Sequence, residues 1–403
     1  VSMPFSGHGD RRTVVVVVAI QAAISLGYFA AMAHVVIHLR VDLGLAAGLI
    51  GLVLALRNLV QHTLSLPVGA LVDVLGPVRI GMLACLLRAA GFALLGTVSS
   101  LPWLVVAAVL LGAGGALFHP AAQSLLAGLA ERRRARGYAA YMMTLQIAAV
   151  LGPALGLALL NVGYWLVALT AAALWIGAAF LFALLWHAPP VRVVDGVVSG
   201  VRTVLRDRVF LGFAVVSTPA MLVTDQASVV VPLGGVDAGA VTVFACVLAM
   251  VSAAVQPWCA VPGRADRPGV LRAGLLFAAG GHLLLAGGAG GELTGLVLVA
   301  ALHGLADGLL QPAVFQTIAR LAPPARFGAY LGVQTSLSGL FAFAGGIAVG
   351  WSFDRGPGGA TAALVVLALT ACAAAACARS HPAQAIDARD AAPAASGVKQ
   401  ERP

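Results

Sequence analysis

The sequence predicts an all-α membrane protein, with twelve transmembrane helices in two pseudo-symmetric six-helix bundles. Three observations carry this. The 403-residue chain is 61% hydrophobic and only 10% charged, with a mean hydropathy of +0.98, too little charge to cover a water-facing globule of that size. Its apolar residues fall into twelve runs, each near the roughly 20 residues that a spanning helix needs. A motif in the first half recurs in the second. A soluble enzyme core is excluded, and the net charge of +9, spread over short segments between apolar runs, reads as membrane orientation rather than nucleic-acid binding.

The elements follow in order. Residues 1–12 form a polar cytoplasmic start, and the apolar run 13–39 is too long for a signal-peptide core, so it is expected to stay as the first span. Spans at 45–72, 80–98, 101–127, 137–160 and 163–186 complete an N-terminal bundle over 13–187. Residues 188–208 interleave arginines with Val201, Val204 and Leu205, the pattern of an amphipathic linker lying on the cytoplasmic leaflet. Spans at 209–233, 238–261, 270–288, 293–318, 328–351 and 360–378 make a C-terminal bundle over 209–378. The Ala, Pro, Asp and Ser-rich tail 379–403 has too little apolar surface to fold and is expected to be disordered and cytoplasmic.

Orientation follows from the basic residues. With both termini cytoplasmic, 20 of the 24 fall on inner segments, against Arg40 and Arg355 outside and Arg57 and Arg88 within spans. Trp103, Trp165, Trp186, Trp258 and Trp351 sit near span ends as interfacial anchors, whereas Trp175 is mid-span. The five cysteines lie in apolar stretches without ligand spacing. A single Lys against 23 Arg points to a GC-rich, bacterial genome, and hence to a cytoplasmic (inner) membrane.

Asp73-x-x-Gly76-x-x-Arg79 after the second span recurs 193 residues on as Asp266-x-x-Gly269-x-x-Arg272. Leu117-Phe118-His119-Pro120-Ala121 recurs 192 residues on as Leu309-Leu310-Gln311-Pro312-Ala313. Two echoes at nearly one spacing indicate duplicated six-helix bundles, the plan of alternating-access transporters. At these residues the chain resembles the major facilitator superfamily, whose signature loop is similar to Gly69-x-x-x-Asp73-x-x-Gly76-x-x-Arg79, with Val74 and Pro77 where the family carries basic residues. The resemblance implies a gate in which Gly69 lets helices approach, Gly76 makes a tight turn, the Asp73 carboxylate meets a helix N-terminus and Arg79 holds the gate closed. Gly152-Pro153-x-x-Gly156 in the fifth span resembles a motif of the family's proton-coupled exporters and is expected to bend and pack between the two halves. Leu56-Arg57-Asn58 with Gln61, Leu87 to Phe92, Gly114 to Phe118, and Met142-Met143 with Gln146 resemble the MdtH-like multidrug exporters, mainly over the first half.

Polar groups inside a bilayer need a partner, water or a task, since an ionisable side chain at mid-span costs about 2.5–3.5 kcal/mol on insertion scales. Arg57, Gln61 and Ser65 share one helix face with Asn58 and His62 alongside, His303, Asp307 and Gln311 share another, and Ser217, Thr224, Asp225 and Ser228 lie near one face. Gln21, Ser25 and Tyr28 add to these from the first span, and His119 and Gln123 from the fourth. Together with Gln146 they are the candidates to line a cavity between the halves. Asp225 and Asp307 are the carboxylates well inside spans and so the candidate proton carriers, with His303 one turn from Asp307 as a relay. The competing reading is a static ion pair between Arg57 and either Asp. His34 and His38 stand four apart with no Asp, Glu or Cys in the same apolar run, so they are expected to be packed and no metal site is assigned.

No nucleotide-binding loop and no catalytic triad or paired-glutamate arrangement is evident, so no enzyme activity and no cofactor are expected, with a proton gradient as energy source. The expectation is a secondary active exporter of hydrophobic or amphipathic small molecules in exchange for protons, working as a monomer with substrate, protons and the bilayer as partners. Many drug exporters of the family carry a carboxylate in the first helix, and residues 13–39 contain none, which favours the alternative of a nutrient or metabolite facilitator or importer. A sensor acting through residues 188–208 or the tail is the third reading.

Overall fold

The computed structural model describes residues 7–127, 129, 131–185, 204–261, 263–323 and 326–378. Most of the linker, the tail and the first residues of the chain therefore lie outside the described residues. Among the described residues, twelve helices are long and apolar enough to cross a membrane. They are α1 (Gly7–Ile37), α2 (Ala47–Leu75), α3 (Pro77–Thr97), α4 (Leu101–Ala127), α5 (Glu131–Leu160), α6 (Tyr164–Ala183), α7 (Arg208–Leu233), α8 (Ala238–Cys259), α9 (Pro268–Ala286), α10 (Leu293–Leu321), α11 (Phe327–Phe353) and α12 (Pro357–Cys377). No strand occurs among the described residues.

Local chemistry sets the ends. Proline occupies the first turn of α3, α9 and α12, where its missing N–H costs nothing. Gly76, at φ +83°, makes the reversal between α2 and α3 that a Cβ would strain. Asp237 caps α8 by accepting from the amides of Gly239 and Ala240 at 2.8 and 3.1 Å, and Asp207 caps α7 through Phe210. Two helices depart from the regular spans of the sequence. α1 runs past its apolar stretch through a π-helical turn, His38–Asp42, and α7 is three pieces: Arg208–Ser217, Pro219–Asp225 and Ala227–Leu233. Pro219 cannot donate to the carbonyl four residues back, which accounts for the first interruption.

The two halves repeat each other's packing. In the first, α3 lies against α4 and α6, α2 against α4, and α1 against α5 and α6; in the second, α9 lies against α10 and α12, α8 against α10, and α7 against α11 and α12. Each bundle has its own buried apolar core, the first built around Trp175, Phe118, Phe92 and Phe182 and the second around Phe210, Phe213 and Tyr330. The halves meet along α2 with α11 and α5 with α8, two seams that the same pseudo-symmetry exchanges. Large apolar side chains such as Phe180, Met143 and Leu369 remain exposed on the perimeter, as a lipid-facing surface requires.

The chain starts at one end of the bundle, the near end, so α2 begins and α11 finishes at the opposite, far end. Between them runs a ladder of small residues. A Cβ on Gly51 would sit 2.7 Å from the Gly346 carbonyl and one on Gly350 2.5 Å from the Ala47 carbonyl, so only glycine admits this approach. Farther along, Ser336 Oγ donates to the His62 carbonyl at 3.3 Å, and a Cβ on Gly339 would be 2.8 Å from His62 Cβ.

Candidate functional site

Within the first half, α2 and α3 bring two arginines to one point. Arg57 Nη2 donates to the Tyr28 hydroxyl at 2.7 Å and, more weakly, to Gln61 Oε1 at 3.4 Å; Arg88 Nη2 donates to the same Gln61 oxygen at 2.9 Å. Both side chains are buried, at 9% and 6% exposure. The Arg88 guanidinium also lies 5.1 Å from the Tyr28 ring centroid and 5.0 Å from that of Trp175, while its Nε donates to the Leu111 carbonyl. The glycines of α4 create its berth: a Cβ on Gly114 would be 2.6 Å from Arg88 Cγ, and one on Gly115 would overlap Arg88 Nη2 and Gln61 Oε1. Aromatic faces and a shared amide oxygen thus take the place of a counter-anion.

Across the seam, Asn58 Nδ2 donates to Asp225 Oδ2 at 3.1 Å, joining α2 to the middle piece of α7. Arg57 and Asp307 lie close enough to act electrostatically on Asp225. On the C-terminal side, Ser252 Oγ of α8 donates to Asp307 Oδ2 at 2.8 Å, and Gln311 lies one turn on along α10, beside the same carboxylate. Neither carboxylate lies within 4 Å of a basic side chain among the described residues, and Arg57 is engaged by Tyr28 and Gln61 instead. His303 does not turn to Asp307: its Nδ1 donates to the Val299 carbonyl at 3.0 Å and its ring packs edge-on against His282, 4.7 Å between centroids.

The remaining candidates divide. His119 pairs through Nδ1 with the Tyr141 hydroxyl at 3.1 Å, and His119, Gln123 and Gln311 are exposed although they lie within spans, whereas Gln146 is half-buried. Gln21 is fully buried and donates to Ser25 of its own helix at 2.8 Å, which turns it away from any cavity. Ser217 also faces inward, accepting from Gln334 Nε2 of α11 at 2.9 Å, so the polar residues of α7 do not share one face across its breaks. Ser228 alone of that set is exposed.

The two copies of the loop motif differ locally. Gly76 is the positive-φ turn before α3, but Gly269 sits inside α9 with open space around it. Asp266 is paired with Arg320 of α10 at 3.1 Å, Arg79 is exposed, and Arg272 is half-buried; the side chains of Gly69 and Asp73 lie outside the described residues. The fifth-span motif also works differently from expectation. Gly152 and Gly156 face α1 of the same half, where a Cβ would meet Phe29 Cβ and the Ala30 carbonyl, and His34 Nε2 donates to the Pro153 carbonyl at 3.1 Å. The side of α5 that faces the other half is elsewhere, where Cys246 Sγ of α8 donates to the Val150 carbonyl. His38 stacks on Tyr164 and bonds Asp42 at 2.8 Å, a carboxylate brought within reach by the π turn.

Sequence reasoning missed Ser252, His282, Trp175 and Asp354 as partners. Asp307 on one helix face invites a hydroxyl on the facing helix, but pairing α8 with α10 is tertiary information.

A duplicated twelve-helix membrane bundle, with polar side chains facing one another across a seam of small residues, defines a membrane transporter. A Major Facilitator Superfamily profile matches residues 17–346, and the chain belongs to that family. An uncharacterised MFS-type transporter of Mycobacterium tuberculosis is 29% identical over 363 residues, covering 85% of this chain and 86% of its own length. The multidrug resistance protein MdtH of Yersinia pestis is 34% identical over 213 residues, 52% of each chain. Among solved structures, a peptide transporter POT in complex with sulfate superposes with a TM-score of 0.76 at 16% identity, covering 94% of each chain. A bacterial homologue of the human lysosomal transporter Spinster gives 0.72 at 17% identity, covering 92% of this chain and 98% of its own. These likenesses establish the fold.

Proposed function

We propose that the protein is a secondary active exporter of hydrophobic or amphipathic small molecules, exchanging them for protons as its halves rock about the mid-membrane seam. The observation that carries this reading is the pair Asp225 and Asp307: two carboxylates at mid-span, hydrogen-bonded to neutral groups and without an ion-pair partner among the described residues. A carboxylate placed so can take up and release a proton without first breaking a salt bridge. The similarity to MdtH over half the chain supports export of drug-like compounds. In this reading the protein works as a monomer in the inner membrane with both termini cytoplasmic, needs no cofactor, and catalyses no chemistry. Gly76, Arg79, Asp266 and Arg272 then belong to the near-end gate, and Tyr28, Asn58, His119, Gln123 and Gln311 border the substrate path.

The test is reconstitution into vesicles with an imposed pH gradient, a lumenal pH dye and a panel of lipophilic cations and antibiotics. Substrate-dependent proton movement that Asp307→Asn or Asp225→Asn abolishes, with the variants folded, supports antiport through that residue. Substrate equilibration without a proton signal favours the facilitator, the reading to which the absence of a carboxylate from residues 13–39 points.

A further inference from the structure

At its far end α2 begins without a cap of its own. The residue before it, Ala46, has no side-chain acceptor, and among the described residues no side chain of the first half bonds the first amides of the helix. They are satisfied instead from the other half. Asp354, the residue after α11, accepts from Ala47 N through Oδ1 at 2.7 Å and from Gly48 N through Oδ2 at 2.8 Å. Arg40, at the end of α1, reaches the same carboxylate at 3.9 Å while donating to the Leu45 carbonyl. The neighbouring sequence is shaped to admit the carboxylate: a Cβ on Gly48 would be 3.0 Å from Asp354 Oδ2 and 3.2 Å from Trp351 Cδ1.

From this geometry we infer that Asp354 is the latch of the far gate, a carboxylate of the C-terminal half that holds the closed far end by capping a helix of the N-terminal half. Capping by a residue of the same half would be kept in every conformation. A cap supplied across the seam exists only while the far ends of α2 and α11 are together, so its free energy counts toward one state alone. Two charge-assisted bonds to helix-terminal amides, strengthened by the dipole of α2 and by Arg40, bias the far-closed state. When the far end opens, Asp354 and the first amides of α2 must both pass to water. The inference rests on the rocking motion of the proposed function, and neither on protons nor on the identity of the substrate.

Hydrogen–deuterium exchange of the full chain in lipid nanodiscs tests it. Asp354→Ala is expected to speed exchange about tenfold in both far-end segments, residues 47–53 and 346–353, and to slow it at the near ends of α4 and α10 as the population shifts. Asp354→Asn, which keeps one acceptor, shifts the same segments less, and Arg40→Gln less again. Ala46→Ser added to Asp354→Ala gives α2 a cap within its own half. The latch predicts that protection returns only to the first turn of α2, with 346–353 still fast and the near ends still slow. Restoration of every segment by Ala46→Ser, or a change confined to that first turn in Asp354→Ala, would reduce Asp354 to a helix cap and overturn the inference. If Asp354→Ala raises exchange in all helices the variant has lost its fold, and Asp354→Asn is decisive: without the two-ended pattern there, the latch fails. Opposite-sense changes at the two ends of the wild type on shifting pH, untouched by Asp354 substitution, would sink the latch but leave the rocking exporter standing. No opposite-sense change in any variant or condition would remove both.

Discussion

A Cβ at Gly115 would run into Arg88 Nη2 and Gln61 Oε1, the atoms on which both buried guanidinium groups depend. Gly115→Ala is therefore expected to lower stability by about 1–3 kcal/mol, seen as a lower unfolding temperature in detergent. Arg88→Lys keeps the charge but gives up the stacking on Tyr28 and Trp175 and the bond from Nε to Leu111, so it should also destabilise, in the same assay. The sequence made Asp225, Asp307, Arg57 and Arg88 conspicuous because charge within a span is rare. It could not supply their partners. Asn58 and Asp225 are 167 residues apart, and helical spacing compares a residue only with its own helix. That is also why His303 stood out as a relay one turn from Asp307, when its ring is taken up by Val299 and His282.

At the scale of elements, two glycines make opposite predictions. Gly156 of α5 is pressed against the Ala30 carbonyl and His34 of α1, so Gly156→Ala should force these helices apart and destabilise by about 1–3 kcal/mol. Gly269 of α9 has open space, and Gly269→Ala should be neutral or stabilise by up to about 1 kcal/mol through helix propensity. Thermal unfolding of the two variants side by side checks the pair. The motif around Pro153 was visible in the sequence, but the face its glycines present was not, because a helix with apolar residues all round gives no period from which to read its neighbour. The same lack hid the interruption of α7 at Gln226, for which no physical cause is evident; Pro219 at least marked the first break.

For the molecule as a whole, twelve spans and a duplicated plan were legible because bilayer thickness fixes the length of a span and the repeat left two echoes at one spacing. Which seam closes at which end was not, since it depends on where glycine ladders from opposite halves meet. Widening that ladder should act on the state of the whole protein. Gly51→Leu, aimed at the Gly346 carbonyl, is expected to favour the far-open form and raise the labelling rate of a cysteine introduced at Ala55, which is buried against Gly346 on the same seam, by a membrane-impermeant maleimide. An unchanged rate would show that the α2–α11 contact does not set the gate.

The division of charge between the halves has a consequence for whatever passes between them. The buried cations, Arg57 and Arg88, belong to the first half, and the mid-span carboxylates, Asp225 and Asp307, to the second. When the carboxylates are ionised, the seam between the halves lies in a transverse electric field, in a medium where water screens little. On the proposed substrate path, a dipolar molecule would be turned broadside there, with its electron-rich side toward Tyr28 and its electron-poor side toward α7 and α10. In the proposed antiport, a proton taken up by either carboxylate weakens that field, so the event that would drive transport would also loosen its hold on the orientation of the cargo.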